Sequence, residues 1–241
     1  MTESAAFPKA TPVEPPQAAA ASLQHPLVRA LLALTFTTGL LDITSYVGLG
    51  HVFTANQTGN LVLLAGGIAR SGDLQSAGPI VSLGAFVVGA AAVGLVTRLI
   101  AQRQSTLVVR VLTAEIVLLG TAAVLAGVVD VTPGAASGYI EILLLALAMG
   151  MRTAVIGRLG GADVTLSMLT GTLADLAASL PFTGGSDNRS VRRAGAASSL
   201  FLGALVGALM LKASLWLPVA AAAVLALFIC VFYARAPRQS E

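Results

Sequence analysis

Charge is what this chain has least of. Only 10% of its 241 residues are Asp, Glu, Lys or Arg, against about a quarter in soluble domains, so a solvated globular surface is excluded for most of its length. Cysteine is reduced to one, Cys230, which excludes an internal disulfide and a thiolate cluster. The two histidines, His25 and His51, lie far apart in sequence; a zinc, haem or iron–sulfur site is not expected, and no cofactor is. Neither a Ser-His nor a Cys-His constellation is present, so the chain is not expected to be an enzyme. A Gly-rich phosphate-cradling motif is also missing, which argues against ATP-driven work by this chain alone. The alternating strands of a membrane barrel are absent as well.

What is abundant is apolar sequence, 56% of the chain. Six runs are long enough to cross a hydrocarbon layer of ~30 Å, which takes about 20 helical residues: 27–49, 77–100, 107–129, 138–157, 194–211 and 214–233. Two shorter segments, 52–69 and 163–180, lie between the first and second runs and between the fourth and fifth. A helix over 58–69 would measure about 18 Å and cannot cross alone. The fold class expected is therefore an all-α polytopic membrane protein of about six transmembrane helices plus two short broken or re-entrant segments. Residues 1–26, rich in Ala and Pro, read as a disordered cytoplasmic tail and a poor signal peptide. Residues 27–129 and 138–233 read as two membrane repeats, and 234–241 as a second cytoplasmic tail.

The repeats are marked by a phrase that occurs twice. Gly39-Leu-Leu-Asp42 is followed a loop later by Thr58-Gly59-Asn60, and Gly150-Met-Arg152-Thr153 by Thr170-Gly171-Thr172. With six spans and a cytoplasmic N-terminus, all but Arg70 and Lys212 of the 14 Lys and Arg fall on or toward the inside, as the positive-inside rule requires. With eight spans that bias collapses. The net charge of +3 is thus a topology signal, not a nucleic-acid footprint. Three crossings per repeat would invert the second copy, and the short segments would meet near the midplane, a recurrent transporter design.

The run from Gly39 to Gly50, then Val52-Phe53-Thr54-Ala55-Asn56-Gln57-Thr58-Gly59-Asn60, resembles the signature of the YoaK-like bacterial membrane proteins, also called domain of unknown function 1275. The second half agrees through Leu147 to Met151 and Met168 to Leu176. Gln57 stands where the family often has an apolar residue, and Arg152-Thr153 where it often has Gln-Asn. The resemblance implies a bacterial inner-membrane protein and implies no activity.

Ionisable residues inside spans cost roughly 2.5–3.5 kcal/mol at a helix centre and mark pathways or pairs. Counting rise per residue, Glu115 and Arg152 fall at similar depths, about 12 and 8 Å from the inner surface, and an ion pair is feasible. Asp42, about 10 Å below the outer surface, has no basic residue at its level; it either bonds the polar group Thr44, Ser45 and Asn56 or faces a cavity, where it would suit a proton relay. Glu141, about 5 Å from the outer edge, is expected to reach water. Thr58 and Thr170 are suited to cap the short helices, whose N-terminal N–H groups would converge at the midplane. Ladders of small residues, Gly195, Ser199, Gly203 and Gly207 in the fifth run and Ala90 and Gly94 in the second, provide close packing within the bundle or across a homodimer.

The function expected is a small-solute or ion permease or channel. Its pathway residues would be Asp42, Asn56, Thr58, Gly59, Asn60, Arg152, Thr170, Gly171 and Asp175. The alternative is a non-transporting membrane assembly partner. The lipid bilayer is the expected partner, a homodimer is allowed, and no nucleic acid or metal is expected.

Overall fold

The computed structural model describes residues 26–72, 74–100, 104–158 and 188–235. The described residues form α1 (Pro26–Gly48), α2 (Gln57–Ile68), α3 (Ala77–Leu99), α4 (Gln104–Val128), α5 (Ala136–Arg158), α6 (Asn188–Leu211) and α7 (Trp216–Arg235). All but α2 are long and apolar enough to cross a membrane. The chain is a multi-pass helical membrane protein, and the six expected runs match the six long helices among the described residues. Helices are what lipid demands, because every backbone polar group must find its partner within the segment. Hydroxyls obey the same demand: Thr35, Thr38, Thr44, Thr97, Thr113 and Thr121 each donate to the carbonyl four residues back. The segment at 163–180, with its Thr-Gly phrase, lies outside the described residues.

Outward faces remain apolar. Val87, Val88, Val117, Val124, Phe201 and Phe228 are exposed, as suits side chains solvated by lipid. α1 and α5 are the most buried of the six spans. Around them lie two apolar clusters. One holds Leu41, Leu119, Leu145, Ala148 and Val219; the other holds Leu34, Val108, Leu112, Val155 and Ile229.

Helix pairing does not follow chain order. The most extensive packing is between α1 and α6 and between α3 and α5, so each half of the chain lends a helix to the other. Glycine makes both crossings close. A Cβ on Gly203 would run into the carbonyl oxygen of Phe36, and one on Gly39 into that of Leu200. At the other crossing a Cβ on Gly89 would meet the carbonyl oxygen of Leu147, and one on Gly150 that of Phe86. In all four cases the carbonyl belongs to the residue three positions before the partner helix's own glycine. The two crossings are therefore the same reciprocal lock, built twice between the two halves.

These contacts decide how the small-residue ladders are used. Gly203 and Gly207 both face α1 of the same chain, Gly207 against Leu40 and Ile43. In α3 the glycine at the crossing is Gly89, whereas Gly94 has open space around it. The expected Ala90–Gly94 ladder thus misses the packing face by one residue.

Candidate functional site

Ordinary helix ending begins the site. α1 stops at Gly48, and Gly50 and His51 take positive φ of 90° and 61°, which turns the chain back. Asp42 lies six residues before that end, about 9 Å into the helix at 1.5 Å per residue. Its carboxylate meets the returning loop. Oδ1 accepts the N–H groups of Thr54 (2.9 Å) and Ala55 (2.8 Å) and the Thr54 hydroxyl (3.3 Å), and Oδ2 accepts the Asn56 N–H (3.2 Å). An anionic acceptor bound to several backbone N–H groups forms strong, charge-assisted bonds. Asp42 is buried, and its partner proves to be a peptide loop. Of the expected polar group only Asn56 takes part, through its backbone; Thr44 bonds the Leu40 carbonyl, and Ser45 the backbone carbonyl of Asp42.

From this depth α2 leads out again. Asn56 is its N-cap, the side chain accepting the Gly59 N–H at 3.3 Å. The cap is therefore Asn56 and not Thr58, which is exposed in the first turn. Both residue types favour that position, and the one used is the one whose backbone Asp42 already holds. Gly59 is required for space: a Cβ there would lie 2.8 Å from the Phe53 ring, which stacks on Tyr46 at 4.9 Å. Asn60 is fully buried and bonds both sides of the Phe53 backbone. Its Oδ1 accepts the Phe53 N–H (2.9 Å), and its Nδ2 donates to the Phe53 carbonyl (2.7 Å), Gln57 Oε1 (2.8 Å) and Ser82 Oγ (3.0 Å). Ser82, five residues into α3, also donates to the Phe53 carbonyl. Gly67, at the far end of α2, backs onto the main chain of Gln75 and Ser76 just before α3. α2 is thus a re-entrant helix that starts inside the bundle and ends beside the start of α3.

Hydrogen-bonding capacity at the first Thr-Gly phrase is spent on its own loop. Asn60→Ala should strand the Phe53 N–H and cost about 1–3 kcal/mol. Thr58→Ala should stay within about 0.5 kcal/mol. Thermal unfolding in detergent checks both.

The second cluster joins α1, α4 and α5. Arg152 is 2% exposed and Glu115 fully buried; Arg152 Nη2 and Glu115 Oε1 form the ion pair that their depths predicted. Arg152 Nη1 donates to the Leu34 carbonyl (3.0 Å), Thr37 Oγ1 (2.8 Å) and Thr38 Oγ1 (3.1 Å). Among the described residues Glu115 Oε2 and Arg152 Nε have no partner. Sequence reasoning missed Thr37, Thr38 and Ser82, each an ordinary residue for its helix.

A third feature overturns an expectation. Glu141 does not reach water: it is fully buried, and among the described residues neither carboxylate oxygen has a hydrogen-bond partner. The missing signal was helix phase. Glu141, Leu145, Ala148 and Arg152 recur at spacings of four, three and four, so they share one face, and all are buried. That face turns to the interior, where Arg152 reaches α1 and α4. Thr170, Gly171, Thr172 and Asp175 lie outside the described residues.

A family model described as "Protein of unknown function (DUF1275)" matches residues 30–232. The chain is also similar to the UPF0700 transmembrane protein YoaK of Bacillus subtilis (strain 168), at 35% identity over 150 residues. That match covers 61% of this chain and 64% of the relative, just under two thirds of its length. No solved structure matches.

Proposed function

The chain belongs to the DUF1275 family of proteins of unknown function, and on that footing we propose that it is a permease or channel for a small solute or ion. One observation carries the reading: along α5 the buried ionisable residues Arg152 and Glu141 stand on either side of the apolar Leu145 and Ala148, and further polar side chains are buried on α1 and α4. Glu115, Arg152, Thr37, Thr38, Asp42 and Glu141 are all buried. From Arg152 to Glu141 is about 17 Å along α5, more than half of a hydrocarbon core of ~30 Å. Ionisable groups at such depth are costly and characteristically line substrate or ion routes. Free hydrogen-bonding capacity remains at Glu115 Oε2, Arg152 Nε and both oxygens of Glu141, where a passing polar species would find partners.

The re-entrant helix supports the same reading, since non-helical backbone at depth is tolerated where protein or a polar cavity covers it. The repeated glycine lock supports an inverted duplication of the membrane core. Membership of the family supports a bacterial inner-membrane location, and the charge bias supports cytoplasmic termini. The non-transporting assembly reading loses its favoured surface, because Gly203 and Gly207 are occupied by α1.

Purified protein in proteoliposomes should move at least one member of a panel of amino acids, sugars and inorganic ions. Asp42→Asn, which sets an amide donor among the loop's N–H donors, should slow that flux while leaving the gel-filtration profile unchanged. If every flux were the same in wild type, Asp42→Asn and empty vesicles, the permease reading would be wrong.

A further inference from the structure

We propose that Glu141 is the proton-binding site that couples transport to a proton gradient, an inference that rests on the permease reading above. The argument starts from what the carboxyl group lacks. Both oxygens are buried and, among the described residues, without a hydrogen-bond partner, inside a span that holds the group in a low-dielectric interior. A carboxylate left uncompensated there is strongly unfavourable. A carboxylic acid, formed by adding one proton to one oxygen, is neutral and removes that cost. The other buried carboxylates differ. Asp42 is bound by three backbone N–H groups and a hydroxyl, and Glu115 is paired with Arg152. Each has a fixed structural partner that would be broken by using it as a carrier. Glu141 has none to lose.

Its surroundings fit a proton better than a metal cation, which needs several oxygen ligands. Among the described residues, no group of three His, Cys, Asp or Glu side chains is placed to hold a metal ion. The ionisable groups on the elements packed against α5 are Arg29, Asp42 and Tyr46 on α1, Arg98 on α3, and Arg110 and Glu115 on α4. α5 itself adds Tyr139, Arg152 and Arg158, and the adjoining loops His51 and Asp130. None bonds Glu141. Arg29, Arg98, Arg110 and Arg158 sit at the opposite end of their helices from the Glu141 level. A depression lined by Leu49, Gly50, His51, Gln75, Pro133 and Tyr139 lies at the same end of the bundle, and Glu141 is not among the residues that line it.

Dicyclohexylcarbodiimide, an apolar reagent that adds to protonated carboxyl groups to give an N-acylurea, tests the site in the wild-type protein. Peptide mass mapping should find the adduct on Glu141, not on Asp42 or Glu115, and its yield should fall as pH rises. No adduct on Glu141 at any pH overturns the proposal; protection by excess sodium makes the site a cation site and also overturns it. The coupling role is read separately, with a trapped pH dye in proteoliposomes. Wild type should take up protons under an imposed gradient, and Glu141→Gln should lose that uptake while remaining folded by gel filtration. Solute flux indifferent to the gradient overturns the coupling and leaves the permease reading standing. Adduct formation with no flux of any kind overturns the permease reading, and the coupling role with it.

Discussion

Arg152→Met should be the most destabilising single substitution in the bundle, at about 3–5 kcal/mol, the usual cost of breaking a buried ion pair from one side. The loss is not spread evenly over the bonds Arg152 makes. Thr37 and Thr38 each donate their hydroxyl to the Leu34 carbonyl at 2.8 and 2.9 Å, so they keep a partner when the guanidinium goes. Leu34 keeps both. Among the described residues Glu115 keeps nothing: its Oε2 is already without a partner, and Oε1 loses Arg152. A fully buried carboxylate would then stand uncompensated between α1, α4 and α5. It follows that Glu115→Gln should restore most of the stability when combined with Arg152→Met, although Glu115→Gln alone would leave Arg152 half-paired. Thermal unfolding of the four proteins in detergent gives the coupling energy directly. A double variant no more stable than Arg152→Met would mean that the arginine acts through packing rather than through charge.

Why this pair was legible in the sequence and Glu141 was not is a matter of geometry. Depth can be counted from residue numbers, and two opposite charges at one depth in a membrane will find each other if their helices touch. Which way a residue faces cannot be counted from depth. Glu141 lies near a helix end, where a lipid-facing side chain would extend to water; on the inward face the same position is sealed. The span boundaries were legible because lipid requires a minimum apolar length. The pairing of α1 with α6 and α3 with α5 was not, since residues facing lipid and residues facing protein are equally apolar and carry no phase signal. Asp42 shows the same division. Its lack of a basic partner followed from the sequence, while the loop that returns to it did not, because its bonds go to backbone N–H groups that every sequence contains. Asn56 and Thr58 stand two residues apart with similar capping preference, within the ordinary uncertainty of a helix boundary.

Alanine at the crossing glycines should separate two classes of position that look alike in sequence. At Gly203, Gly39, Gly150 and Gly89 an added Cβ meets a backbone carbonyl of the facing helix. Backbone cannot rotate aside as a side chain can, so the helices must part along the whole crossing and lose dispersion contacts on both sides. Overpacking of this kind typically costs about 1–3 kcal/mol. At Gly84 and Gly94 no atom lies within 4 Å of the added carbon, and alanine should be neutral or stabilising by up to about 1 kcal/mol from helix propensity. The duplicated lock sharpens the expectation. Gly203→Ala with Gly150→Ala strikes two different crossings and should be additive. Gly203→Ala with Gly39→Ala strikes one crossing twice and should cost less than the sum, because helices already parted by the first methyl have room for the second. Midpoints of thermal unfolding for the singles and the two doubles decide it. Equal additivity in both doubles would show that each glycine yields locally, and that the crossings do not move as units.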